Sequence, residues 1–215
     1  MKLSIIIPVK NEEILIKKII DQLESKLKSL SYEIVFINDF STDSTDKITK
    51  EIIKDRPQTK IYDNKRKGLG GAITEGINKS SGEAICIMMS DLSDSVDDLE
   101  KYYNIIKNEN VDAVFGSRFI KESKIIDYPK KKFILNRIFN LITKLLFLSD
   151  YNDFTNAFKI YKKEALLKTF PLVSESFNIF LELPLKIISR KMNYKIIPIS
   201  WTNRKEGSSK FNIKE

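Results

Sequence analysis

Three short apolar runs, each emptying into a polar turn that carries carboxylates, restrict what this chain can fold into. Leu3-Ser4-Ile5-Ile6-Ile7-Pro8-Val9 leads into Lys10-Asn11-Glu12-Glu13, and Glu33-Ile34-Val35-Phe36-Ile37 into Asn38-Asp39-Phe40-Ser41-Thr42-Asp43. Ala84 to Met89 empties into Ser90-Asp91-Leu92-Ser93-Asp94. Runs this short, alternating with helical stretches, read as parallel strands buried on both faces. Ligands of such sheets bind beyond the carboxyl ends of the strands. The acids collect at those ends, so the pattern marks a site as well as a fold.

Strand 3–9 leads to helix 12–29, strand 33–38 to helix 44–55, and strand 59–63 to a helix opening near Gly70. Strand 84–89 leads to helix 96–108, and strand 112–116 follows. Asp43, Ser44, Asp94 and Ser95 suit amino-terminal caps. The expectation is an α/β fold, an open and mostly parallel Rossmann-like sheet with helices on both faces. Past Ser117 the alternation breaks. Two apolar helical stretches, 133–148 and 176–190, flank a short strand at 157–161, and a last strand, 195–200, precedes a polar basic tail. A single domain over 1–215 is expected, with a nucleotide-binding half (1–116) and an acceptor half (117–215).

Composition narrows the chemistry. The one cysteine, Cys86, lies inside an apolar run, which excludes a disulfide framework and a cysteine zinc site and suits a reducing cytoplasm. No basic-then-apolar leader opens the sequence, so no signal peptide is expected. A net charge of +8 favours an anionic partner. Nucleic acid is not expected, because no recognition helix or basic stacking platform is evident. The sequence contains no histidine, the usual general base near neutral pH and the commonest metal ligand. A metal would be held by oxygen, which points to Mg2+ or Mn2+.

Several segments can carry chemistry, each with a plainer alternative. Lys67-Gly68-Leu69-Gly70-Gly71-Ala72, with Gly76 beyond, would let backbone approach a phosphate or let a helix pack closely. It is neither a Walker loop nor a dinucleotide fingerprint. Asp91, with Ser93 and Asp94, would hold a divalent cation against a diphosphate or cap a helix. Gly116-Ser117-Arg118 puts a guanidinium suited to phosphate on the same rim. Arg204 and Lys210 add cations around a Gly-Ser turn, or belong to a solvated tail.

Taken in order, these segments resemble the family-2 glycosyltransferases, in particular the dolichol-phosphate mannosyltransferase (polyprenyl-phosphate glycosyltransferase) group. SIIIPVKNEE is similar to the opening strand motif, INDFSTDST to the second-strand motif, and KGLGGAITEG to the glycine-rich helix. MMSDLSD occupies the Asp-x-Asp position, and FGSRF the Gly-Ser-Arg element. NDFTNAFKIY resembles Asp-x-Thr-Ser-Gly-Phe-Arg-x-Tyr, and RKEGSSK the closing Arg-x-x-Gly-x-Ser-Lys. The resemblance implies that Pro8, Val9, Asn11, Glu12 and Asp39 line the base and ribose pocket, with Gly70 also on the donor side. It implies Asp91 on the metal of the donor diphosphate, with Asp94 beside it, and Arg204 and Lys210 closing over that diphosphate. It implies Arg118 facing the acceptor phosphate with one of Lys130, Lys131 or Lys132, and Asp153, Thr155 and Glu182 near the acceptor.

The implied reaction moves a hexose, mannose or glucose, from a GDP- or UDP-linked sugar to a polyprenyl phosphate, with inversion. A phosphate monoester, with a second pKa of about 6, arrives ionised and needs no general base, which a chain without histidine can accommodate. Transfer to a sugar hydroxyl remains an alternative. So does a non-catalytic nucleotide-sugar-binding module, because Met89 stands where the first acid of Asp-x-Asp belongs and a thioether is a poor ligand for a hard cation. Phe40 replaces a turn glycine, and Asn156-Ala157 replaces Ser-Gly.

Residues 133–148 carry Asn136, Arg137, Asn140, Thr143 and Lys144 on one stripe with apolar residues elsewhere, the pattern of a helix with a wide apolar face. The run is shorter than the ~20 residues that span a bilayer. Lys121, Lys124 and Lys130 to Lys132 precede it as a basic collar. The helix is expected to lie in the membrane interface, making the protein cytoplasmic and peripheral on the inner face of the membrane. The alternative is a core helix packed on the sheet.

Overall fold

Leu3–Val9 (β1) can sit in the middle of a sheet because both of its faces are apolar. The computed structural model describes residues 1–203. It contains β1, Ile16–Lys26 (α1), Tyr32–Asn38 (β2), Thr45–Ile52 (α2), Thr59–Asp63 (β3), Leu69–Lys79 (α3), Ala84–Ile87 (β4), Val96–Asn108 (α4) and Ala113–Ser117 (β5). Lys124–Ile126 (β6), Lys130–Leu146 (α5), Lys159–Lys162 (β7), Lys163–Lys168 (α6), Ile179–Ser189 (α7), Tyr194–Pro198 (β8) and Ser200–Thr202 (β9) follow. Seven strands form one sheet in the order β3-β2-β1-β4-β7-β5-β8, and β6 pairs with β9 in a small second sheet.

Period-two alternation divides the core. Ile5, Ile7, Val9, Ile34, Phe36 and Cys86 point to one face, against α1 and α4 residues such as Ile19, Leu23 and Leu99. Ile6, Val35, Ile37, Ile85 and Ile87 point to the other, with Ile73 and Ile77 of α3 and Leu183 and Ile187 of α7. The expected α/β sheet with helices on both faces is the observed one. Cys86 is a buried core residue, its thiol pushed well up by burial.

Three local expectations differ. β4 ends at Ile87 rather than residue 89, because its neighbour β7 begins opposite it at Lys159. β7 is antiparallel to both β4 and β5, so the strand expected at 157–161 is inserted between two strands that run the other way. Ser44 and Ser95 flank their helices without side-chain capping bonds. Asp43 instead accepts from the amide of Thr45 at 3.0 Å.

The orientation of α5 bears on the core-helix reading of that segment. Its polar stripe faces inward: Asn140 and Thr143 are buried, whereas Ile134, Leu135, Ile138, Phe139, Leu141, Ile142, Leu145 and Leu146 are exposed. The stripe is held by hydrogen bonds. Asn140 Oδ1 accepts from the Phe154 amide at 2.6 Å, Asn136 Nδ2 donates to Thr155 Oγ1 at 2.7 Å, and Arg137 donates to the Asn152 carbonyl at 3.3 Å. The alternative of an apolar core helix is therefore excluded. Among the described residues no helix is long and apolar enough to cross a membrane.

Candidate active site

The strand order reverses at β1, with β2 and β3 on one side and β4 on the other. A crevice at such a switch point is where open α/β sheets bind ligands. The turns following β1, β2 and β4 therefore meet there, and hydrogen bonds fasten the first two together. Asn11 accepts from the Thr42 amide at 2.8 Å and its own amide donates to Ser41 Oγ at 3.1 Å, while the Glu12 amide donates to Thr45 Oγ1 at 2.8 Å. Asp39, nearly buried, accepts from Asn64 Nδ2 at 2.7 Å and from the Gly68 amide at 2.8 Å, which ties the 64–68 loop to the end of β2. Val9 packs in the core and its carbonyl accepts the Asp39 amide at 2.8 Å. Pro8 is buried one position earlier in the strand. The side chain of Val9 thus builds the rim from below.

The glycines of the 67–72 segment are used for close approach. Gly68 has φ +107, and a Cβ on Gly70 would lie 1.9 Å from the carbonyl oxygen of Ser174. The Gly70 amide donates to the Glu175 carbonyl at 3.0 Å. Packing, not a phosphate, therefore occupies the helix entry at Gly70. Glu182 holds the facing loop in place, accepting from the amides of Val173 at 2.9 Å and Ser174 at 2.8 Å. Burial pushes its carboxyl up, but Lys186 and these donors hold it at about 2. Gly70→Ala should accordingly lower stability by about 1–3 kcal/mol, the usual range for overpacking. Urea unfolding matching that of the parent protein would show that the 174–175 backbone yields freely.

On the β4 side, Asp91 Oδ1 accepts from the Ser93 hydroxyl at 2.5 Å and its amide at 3.1 Å. Asp94 is buried and receives the Met89 amide. Burial, and then the charge of Asp91, push its carboxyl up to about 7 against the pull of Arg118 and Lys159. Met89 packs against the core cluster beneath α3 and α7, so its thioether is a packing group. Of the two acids expected at the metal, Asp91 is the accessible one.

Arg118 lies at the end of β5, 7% exposed. Its Nε and Nη2 form a fork on Asp153, at 2.8 and 2.7 Å, and its amide donates to the same carboxylate at 2.9 Å. Burial opposes its charge, but Asp153 more than offsets that and raises the guanidinium pKa. Phe119, Tyr128 and Trp201 surround the guanidinium at 5.3, 5.6 and 5.7 Å from their ring centres. Arg118 Nη2 also donates to Thr155, which receives Asn136 and Asn140 of α5. The residues expected near the acceptor are thus one connected network that reaches α5.

Lys159 completes it. This residue was not among the expected site residues, although a lysine in a short apolar run was the available signal. It is fully buried, donates to the carbonyls of Phe154 and Asn156, and burial pulls its ammonium down to about 7. Thr202 donates its amide to the Ser93 carbonyl at 3.0 Å, and Trp201 bridges to Asp94. β9 therefore delivers the chain to the Asp91 turn. Arg204 and Lys210 lie outside the described residues.

Comparisons with known proteins agree with this architecture. A family model described as glycosyl transferase family 2 matches residues 4–170. A dolichol-phosphate mannosyltransferase of Pyrococcus furiosus is 27% identical over 216 residues, covering 100% of this chain and 60% of that protein. A dolichyl-phosphate beta-glucosyltransferase of Dictyostelium discoideum is 28% identical over 219 residues, covering 93% of this chain and 66% of that protein. The chain therefore spans about two thirds or less of these relatives. The solved structure of glucosyl-3-phosphoglycerate synthase from Mycobacterium tuberculosis, with Mn2+, uridine-diphosphate and phosphoglyceric acid, has a TM-score of 0.74 at 16% identity. It covers 97% of this chain and 71% of that one, a likeness of fold.

Proposed function

The chain belongs to glycosyl transferase family 2, and from that premise we propose that it moves a hexose from a nucleotide-diphosphate sugar to a polyprenyl phosphate, with inversion. The observation that carries this reading is the meeting of three polar strand-end turns at the switch point, with Arg118 and α5 on the neighbouring rim. Two relatives named for hexosyl transfer to dolichyl phosphate support the acceptor class.

Asn11, Glu12 and Asp39 shape the donor side through a turn whose bonds are already made, so little ordering is required when the nucleotide arrives. The donor set suits a hard cation only in part: Asp91 offers a carboxylate, Asp94 lies buried behind it, and Met89 contributes nothing. Mg2+ is commonly held by one or two carboxylates together with substrate phosphates, and this arrangement fits that pattern, for Mg2+ or Mn2+. When bound, the cation offsets the charge that develops on the departing diphosphate. The acceptor phosphate is already ionised and needs orientation more than deprotonation. Arg118 and one of the lysines that open α5, Lys130, Lys131 or Lys132, supply positive charge for it. The outward apolar face of α5 lies in the membrane interface and holds the protein peripherally at the inner face, beside its lipid substrate.

Incubation with Mn2+, GDP-mannose or UDP-glucose, and a short-chain prenyl phosphate should yield a lipid-linked hexose. The corresponding prenyl alcohol should yield none. Transfer to a sugar hydroxyl instead would overturn the acceptor assignment, and donor binding without turnover on any acceptor would favour the binding module that Met89 suggests. Asp91→Ala should remove the manganese-dependent part of donor affinity, at least about tenfold. Titration calorimetry checks this, and an equal gain from manganese in parent and variant would place the cation elsewhere.

A further inference from the structure

We infer that Phe40 is a stacking platform for the base of the nucleotide donor, a contact that rests on the donor reading above. Asn11, Phe40 and Leu92, one in each of the three turns at the switch point, adopt positive φ. Asparagine tolerates that conformation, but a bulky aromatic residue does so rarely. Leu92 compensates by packing against the core.

Phe40 has no such return. Its φ is +55, its side chain is 49% exposed, and it belongs to neither core cluster. Its conformation is imposed from both sides. The Asp39 amide donates to the Val9 carbonyl at 2.8 Å, and the Ser41 amide donates to Asn38 Oδ1 at 3.1 Å. A strained residue held by its surroundings at a ligand-binding rim is a signature of function.

Phe40 follows Asp39 directly and precedes Ser41 and Thr42, both bonded to Asn11, in the turn assigned to base and ribose. An exposed aromatic face there matches the π-face that every nucleobase presents, purine or pyrimidine. Glycine would relieve the backbone and remove the ring at once, so stability and affinity should move in opposite directions.

The test uses the full chain with Mn2+ and titrates GDP and UDP separately, against Phe40→Gly, Phe40→Leu and Phe40→Trp. Phe40→Gly should melt a few degrees higher, because φ is positive there. It should bind the preferred nucleotide roughly five- to hundredfold more weakly, the range that base–aromatic stacking carries. Phe40→Leu should bind as weakly as the glycine variant, and Phe40→Trp should keep parental affinity and show quenched fluorescence on binding. Unchanged affinity in Phe40→Gly, parental binding by Phe40→Leu, or a lower melting temperature in Phe40→Gly would each overturn the platform while leaving the donor reading intact. If the parent protein binds neither nucleotide, the donor reading fails first and takes this inference with it.

Discussion

Arg118→Ala is expected to lower stability by about 3–5 kcal/mol, the usual consequence of removing one partner from a buried ion pair. The variant strands Asp153, which is fully buried and loses both bonds of the guanidinium fork, keeping only the amide of residue 118. Lys159 stays in the cluster, but its ammonium already donates to the carbonyls of Phe154 and Asn156. For a chain of this size the melting temperature should fall by roughly 10 °C. Arg118→Met combined with Asp153→Leu should recover much of the loss, since well-packed apolar replacements of a buried pair are often neutral or better. A melting curve of Arg118→Ala that overlays the parent curve would show that the Asp153 pair does not hold this rim together.

That expectation changes how loss of turnover at this position is to be read. In Arg118→Ala, loosening of the 117–118 and 153–155 segments lowers turnover in the same direction as loss of a phosphate contact, so this variant does not separate the two. Arg118→Lys keeps the charge while losing the fork, because an ammonium cannot span both carboxylate oxygens in one plane. An acceptor role therefore appears as lower turnover per folded molecule with donor affinity retained.

β1, β2, β4 and β5 were legible because each is buried and largely apolar on both faces, whereas β3, a half-exposed edge strand, was legible from its place in the alternation. The split of Ile5 and Ile7 from Ile6 follows from the period of a strand. The place of β7 was not legible. Pairing of Lys159 with Ile87 and Phe115 depends on contacts far apart in sequence, which local pattern does not encode. β6 and β9 are three residues each and largely unburied, too short to leave an alternation.

The site was legible in the same uneven way. Acids at strand ends marked the switch point correctly, since that inference needs only strand direction. Individual roles depended on geometry. Gly70 had two open readings, and only the Ser174 carbonyl facing it selects packing. Met89 is one of the residues whose type departs from the family motif, and its half-buried side chain packs against the core cluster. For α5 the stripe was evident, but periodicity does not reveal which face turns inward. Asn136 and Asn140 settle that by bonding the 154–155 backbone and hydroxyl.

The inward polar stripe sets up the second large effect. Phe139→Glu combined with Leu146→Glu should abolish binding to anionic vesicles with the fold intact. These side chains are 44% and 75% exposed, so charging them leaves the core clusters untouched. In a membrane interface each would bury an apolar side chain worth about 1.5–3 kcal/mol, so losing both should weaken partitioning by at least about a hundredfold. The exposed lysines at 121, 124, 130 and 131 add attraction to anionic headgroups. Parent binding should therefore rise with the anionic lipid fraction and fall with salt. Co-sedimentation with vesicles of graded phosphatidylserine content measures both trends, and circular dichroism of the double variant checks the fold. If the parent protein ignores vesicles but its mass grows with concentration in sedimentation velocity, a second copy covers this face and the membrane assignment falls. If the double variant unfolds, α5 owes its place to apolar contacts rather than to Asn136, Asn140 and Thr155. The hydrogen bonds argue otherwise, because Asn136, Asn140 and Thr155 tie the polar stripe inward while the leucines of the outward face belong to neither core cluster.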